Sequence, residues 1–339
     1  MQPIHEVQLE SNKALSIGLL ETKQPFIIRG YAKNWDIVQH AQTAKDQHHA
    51  TDKYLRDLYK GLPITCFSGD SDIGGRFGYT HDYRQLNFKS KKEDLADVLD
   101  CIETQRNKPQ ASSYYIGSVD VERCLPGFSE KNSIDLSGLT NDPNLLTSVW
   151  IGNKTQTAAH YDTPENIACV ASGTRRFTLF PPNQIHNLYP GPLDPTPAGQ
   201  VISCVDIANP DYERFPNYRM AEKEGLSAEL SPGDIIYIPS MWWHNVEALE
   251  SLNVLINYWW NNSAKHLGQG ITALHAALLS LKELPPEQKS AWKHILDYYI
   301  FSDDDNSAHI PPESLGLLGS IDINAGRKLR AMINARVNR

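Results

Sequence analysis

Three side chains in this sequence can build one metal site. His160 and Asp162 flank Tyr161, and His244 follows far downstream in Pro239-Ser240-Met241-Trp242-Trp243-His244. Along a β-strand, residues i and i+2 face the same side. His160 and Asp162 can therefore aim two donors at one point, and a histidine from a distant strand end completes one face of an octahedron. Two imidazoles and one carboxylate leave three coordination positions open, the donor set of non-haem iron(II) chemistry. His-x-Asp alone is a weak motif. Its weight here comes from His244, which closely follows the apolar run 235–239. The other histidines have no such company, and we read them as surface or core residues.

The elements that must position these ligands are short strands. Between residues 148 and 260 the chain alternates apolar runs with turn residues: 148–152, 167–171, 175–180, 235–239 and 254–260. Ser172-Gly173-Thr174 reads as a hairpin turn, and Ser231-Pro232-Gly233-Asp234 as a second turn. Many short strands of this kind predict a sandwich or small jelly-roll barrel. The first 140 or so residues mix helix and strand signals. Strands are predicted at 25–30, 63–67 and 114–117. Ser90-Lys91-Lys92-Glu93 reads as a capping box for a helix whose apolar face is Leu95, Val98, Leu99 and Ile102. Beyond Ser263 the pattern turns helical. Leu267, Ile271, Leu274, Leu278 and Leu281 draw one apolar stripe, suited to packing on the barrel or on a second subunit. A last helix near 326–337 carries a basic face that includes Arg327, Lys328, Arg330, Arg336 and Arg339.

Two stretches, taken together, resemble a known family. One is His160-Tyr161-Asp162, Glu165-Asn166, Arg175 and Phe177-Thr178-Leu179-Phe180-Pro181-Pro182. The other runs from Pro239 to Glu247 and ends in Asn257-Tyr258-Trp259-Trp260. They resemble the jumonji-C-like cupin ("cupin-8") family, and within it look similar to the asparaginyl hydroxylase that inhibits hypoxia-inducible factor. The dense likeness covers 148–262. It implies a mainly β fold with helical additions (α+β). The expected core is a double-stranded β-helix, the cupin jelly roll, with an N-terminal mixed α/β extension over 1–140. The catalytic domain would then be 1–262, and a C-terminal helical region, 263–339, would serve dimerisation.

The resemblance also implies an activity. The chain would be an Fe(II)- and 2-oxoglutarate-dependent dioxygenase that uses O2 to hydroxylate a substrate C–H, with His160, Asp162 and His244 holding iron. Thr157 and Tyr115, the latter preferred over Tyr114, would contact the C5 carboxylate of 2-oxoglutarate. Asn166, Asn257 and Trp259 would border the metal and co-substrate. Arg175 stands where the best-known relatives have lysine. It keeps the charge and can bind a carboxylate in bidentate fashion, while Arg176 should face the other way. A binding module without turnover, or a metal-cupin enzyme that ignores 2-oxoglutarate, would share the triad. Thr157 paired with Arg175 argues for a dicarboxylate pocket against both.

Composition narrows the partners. The net charge is −8, with 40% hydrophobic and 21% charged residues. That is ordinary for a globular protein and argues against a nucleic-acid duplex as partner. The substrate expected is a protein side chain or a small molecule. The N-terminal residues are acidic where a secretory signal is basic, and no apolar run is long enough to span a bilayer, so a cytoplasmic location is expected. Five scattered cysteines without CxxC spacing predict free thiols. The proline-rich segment 188–215 is expected to shape a substrate mouth.

Overall fold

The alternating runs fold into two facing sheets in a computed structural model that describes residues 1–11, 13–142 and 144–338. Among these, the N-terminal strands are β1 (Gln2–Pro3), β2 (His5–Glu6), β3 (Phe26–Ile28), β4 (Ile64–Gly69), β5 (Arg76–Phe77), β6 (Lys89–Glu93) and β7 (Ser113–Asp120). They are followed by β8 (Leu146–Gly152), β9 (Gln156–Tyr161), β10 (Glu165–Ser172), β11 (Arg175–Phe180), β12 (Leu226–Leu230), β13 (Ile235–Ile238), β14 (Trp243–Ala248) and β15 (Asn253–Trp260). One sheet has the order β1-β12-β11-β14-β9-β5, and the other β2-β3-β13-β10-β15-β8-β7-β4-β6. This is the mixed architecture of a cupin jelly roll with helices added.

Strand parity sorts the side chains into layers. Ala168, Val170, Phe177, Leu179, Ile236 and Leu255 pack between the sheets as the barrel interior. Their sequence neighbours Ile167, Cys169, Ile235 and Ile256 face outward, into a core shared with helices α1 (Asp36–Thr43), α2 (Gln47–Leu58) and α3 (Leu95–Gln105). Burying both faces explains why β10 and β15 read as unbroken apolar runs rather than alternating ones.

Two local expectations are corrected. Ser172-Gly173-Thr174 does not close a hairpin. β10 pairs with β13 and β15, whereas β11 pairs with β12 and β14, so the turn carries the chain from one sheet to the other. Gly173 makes this crossing at φ +74°, and a Cβ there would lie 2.3 Å from Asn253 Oδ1. Ser90-Lys91-Lys92-Glu93 is not a capping box either. These residues pair antiparallel with β4 as an edge strand, and Asp94 caps α3 by accepting from Ala96 N at 2.8 Å. Lysines on an exposed edge discourage further strand pairing, which the capping pattern disguised.

The segment 188–215 packs a core of its own. Leu188, Val201, Val205, Ile207 and Phe215 form a core with Phe180 and Trp243 on the outer face of the six-stranded sheet. Ser203 N donates to Ala159 O at 2.7 Å, and Ile202 bridges to His160, so the segment is stitched along the metal-bearing strand.

The chain divides into two compact units, 1–262 and 263–339. The second contains α4 (Gly270–Leu281), α5 (Pro286–Leu296) and a helix at Ile323–Val337. His266 ties it together, its ring bonding Ile321 O at 2.6 Å and its carbonyl accepting from Arg330 at 2.7 Å. None of the apolar stripe of α4 is buried. Of the basic residues expected on the last helix, Arg339 lies outside the described residues.

Candidate metal centre and its polar pocket

β9 and β14 run antiparallel with His160 opposite His244. The two rings stand 4.3 Å apart, and Asp162, one residue past β9, places a carboxylate oxygen 3.6 Å from His244 Nε2. Donor atoms of all three lie within 4.8 Å of one another. Each imidazole is oriented by its other nitrogen. His160 Nδ1 meets Ala158 O at 2.9 Å, and His244 Nδ1 meets Trp242 O at 3.0 Å. A carbonyl can only accept, so Nδ1 carries the proton and Nε2 presents its lone pair, the usual arrangement around a metal-ligating histidine. His244 is 4% exposed. Burial first, then electrostatic competition with the neighbouring His160 ring, pull its pKa down to about 4, against the opposing pull of Asp162. A neutral imidazole at physiological pH is the form that binds metal. The residues present therefore fit a divalent transition metal.

A bulge builds the next part of the site. His244 and Val246 lie two apart on β14, but their partners His160 and Thr157 lie three apart on β9. The extra residue turns Ala158 and Ala159 outward together and leaves Thr157 and His160 on the inner face, which simple alternation forbids. Thr157 Oγ1 then reaches Tyr115 Oη at 3.5 Å. Tyr114, its neighbour, packs instead in the outer core.

Arg175 closes the far end. It pairs across β11 and β14 with Ala248, four residues beyond His244. That is about 13 Å along the strand, a gap that a long side chain reaching inward leaves for a small dicarboxylate. Arg175 is 2% exposed, and its Nε and Nη2 have no hydrogen-bond partner among the described residues. Burial pulls its pKa down to about 10. Arg176 points outward, as alternation demands, to Glu229 at 2.7 Å and Glu247 at 3.1 Å.

The remaining expected residues meet in the same interior. Asn257 donates to Asn166 Oδ1 at 2.7 Å, leaving Asn257 Oδ1 and the Trp259 indole N–H buried without partners among the described residues. The sequence reading missed the aromatic wall beside them. Phe77, Tyr115 and Trp150 stack in succession with centroids 5.8 Å apart at each step, and Trp259 meets Trp150 edge-on at 5.6 Å. Gly117 makes room for the stack, since a Cβ there would lie 2.4 Å from the Trp150 ring. Parity in Ser148-Val149-Trp150 was a usable signal for Trp150, because Val149 faces the outer core. Trp242 and Trp243 are both core residues, 6% and 1% exposed on opposite faces of the six-stranded sheet.

A family model described as a cupin-like domain, Cupin_8, matches residues 15–266. The chain belongs to that family. Among curated proteins this Cupin_8 chain is similar to human HSPB1-associated protein 1, 33% identical over 151 residues that cover 43% of this chain and 30% of the relative. It is also similar to lysine-specific demethylase JMJ31 of Arabidopsis thaliana, 30% identical over 36% of this chain and 22% of the relative. A third relative is tRNA wybutosine-synthesizing protein 5 of Gallus gallus, 29% identical over 38% of this chain and 42% of the relative. The matched stretches thus span between about a fifth and two fifths of these relatives' own length. They place the Cupin_8 chain among JmjC-type proteins and single out no one reaction within the group.

Proposed function

We propose that this protein is an Fe(II)- and 2-oxoglutarate-dependent oxygenase that hydroxylates a C–H bond of a protein side chain or small molecule. The observation that carries the reading is Arg175. A buried cation is costly unless paired, and no acidic side chain among the described residues pairs with it. An arginine left in that state, at the end of a barrel whose other end holds two imidazoles and a carboxylate, is suited to a ligand that joins a metal-chelating head to a distant carboxylate. 2-Oxoglutarate is such a ligand. Membership in Cupin_8 and the similarity to JmjC-type proteins support an oxygenase of that class.

Each residue has a task. His160, Asp162 and His244 would hold iron(II), which when bound supplies the oxygen chemistry coupled to conversion of 2-oxoglutarate to succinate and carbon dioxide. Arg175, Tyr115 and Thr157 bind and orient the C5 carboxylate. Asn166 and Asn257 offer hydrogen bonds beside the metal, and the wall of Phe77, Tyr115, Trp150 and Trp259 excludes water. The test is substrate-independent turnover: 2-oxoglutarate consumed with stoichiometric succinate in the presence of Fe(II) and oxygen, abolished by His160→Ala. Metal binding with no 2-oxoglutarate turnover or binding would favour the binding-module reading.

A homodimer through the C-terminal unit belongs to the same reading. That unit exposes large apolar side chains, among them Leu279, Ile300 and Phe301. These are the side chains that a second copy would cover in such a dimer.

A further inference from the structure

The triad is split between two stretches of chain. His160 lies near the end of β9 with Asp162 one residue past it, and His244 is the second residue of β14. The β9–β14 ladder fixes His160 against His244, but Asp162 lies beyond its end, and there the turn before β14 packs on residues 162–165. Ser240 Oγ donates to Thr163 O at 2.5 Å, and Met241 N donates to Asp162 O at 2.8 Å. Ser240 N donates to Glu165 Oε2 at 3.1 Å. Met241 adopts φ +66° to make these contacts. Such a conformation is unfavourable for a residue with a side chain and persists only where its surroundings hold it.

Glu165 is the centre of that support. It opens β10, beside Asn166 of the inner pocket, but parity turns it to the opposite face, so it is no ligand. It is 5% exposed. One carboxylate oxygen accepts from Tyr237 Oη at 2.6 Å as well as from Ser240 N, and the other accepts from Lys23 Nζ at 3.2 Å and Asn262 Nδ2 at 3.1 Å. The Lys23 side chain is largely exposed, so its ion pair adds little. The directional bonds to Ser240 and Tyr237 are buried, and those grip the turn.

We propose that Glu165 is a positioning residue for the metal centre, its carboxylate pinning the Ser240-Met241 turn against Asp162 and so setting the position of Asp162 relative to the ladder-paired His160 and His244. The inference rests on the metal reading above. Loss of a residue that orients ligands typically costs about ten- to hundredfold in metal affinity.

The test is titration of the full chain with Co(II), a spectroscopic substitute for Fe(II), following d–d absorbance, alongside thermal unfolding with and without the metal. Glu165→Leu should raise the Co(II) Kd by about ten- to hundredfold and shrink the metal-dependent rise in Tm, which tracks Kd. Glu165→Gln keeps an acceptor for Ser240 N and Tyr237 Oη and should restore affinity to within a few-fold. A purely structural role would lower the metal-free Tm and leave the Kd unchanged, and that result overturns the proposal. If Glu165→Leu does not fold, Tyr237→Phe and Ser240→Ala each remove one bond of the support and should weaken Co(II) binding several-fold. Unchanged affinity in those folded variants equally overturns it. Wild-type protein that binds no Co(II) defeats the metal reading and this inference together, whereas normal wild-type binding with indifferent variants defeats this inference alone.

Discussion

Arg175→Met should make the ligand-free protein more stable and the co-substrate complex far weaker. Methionine matches much of the arginine length without its charge. Burial lowers the Arg175 pKa from 12.5 to about 10, which corresponds to about 3 kcal/mol against the charged form. At neutral pH that penalty is fully present in the folded protein, because both states are protonated and only the folded one buries the cation. Removing it should raise the metal-free Tm by several degrees. Binding should move the other way. Nε and Nη2 are both unpaired among the described residues, and a hydrogen bond to a charged group contributes about 1.5–3 kcal/mol. Two such bonds amount to about 3–6 kcal/mol, or a loss of about a hundredfold to ten-thousandfold in 2-oxoglutarate affinity. Equilibrium binding with Mn(II) in place of iron measures this without turnover. Arg175→Lys, which keeps charge but not the fork, should fall between. A methionine variant that binds 2-oxoglutarate like the wild type, or that is less stable when ligand-free, would refute the reasoning that the arginine is kept for an anionic ligand.

Other outcomes follow from the same geometry. Gly117→Ala forces a Cβ into the Trp150 ring and should weaken 2-oxoglutarate binding at least tenfold, with Co(II) affinity unchanged; loss of both together would mean that the wall is merely structural. His244 is neutral in the fold down to about pH 4, whereas an unfolded histidine protonates near pH 6.5. The unfolded state therefore binds more protons between those values, and stability should fall as pH drops from about 6.5 to about 4. In His244→Gln that part of the pH dependence should flatten, as chemical unfolding at stepped pH can show. Truncation after Asn262 should give monomers or insoluble protein by size-exclusion chromatography and light scattering; a soluble chain of unchanged oligomeric state would dismiss dimerisation through the C-terminal unit.

Much of this was legible in the sequence, for reasons that can be named. His160 lies on β9 and Asp162 two residues on, just past the strand end, so alternation carried one step further pairs them, and Arg175 and Arg176 separate inward and outward by the same rule. Strands buried on both faces announced themselves as apolar runs. What stayed hidden depended on contacts distant along the chain. The bulge at Ala158 and Ala159 puts Thr157 and His160 on one face, and no local pattern marks it. Ser172-Gly173-Thr174 has hairpin chemistry, yet the partners of β10 and β11 lie elsewhere, so the turn changes sheets. Ser90-Lys91-Lys92-Glu93 has both a capping pattern and edge-strand composition, and pairing with β4 decides between them. The four bonds of Glu165 come from residues up to 142 positions away, and only the folded chain shows them converging.

The most direct test of the central claim is anaerobic titration of Fe(II)-loaded protein with 2-oxoglutarate, watching the visible metal-to-ligand charge-transfer band. The account predicts a saturable band that His160→Ala abolishes and Arg175→Met shifts to far higher concentrations. Folded, iron-replete protein that shows no band at any 2-oxoglutarate concentration would contradict it.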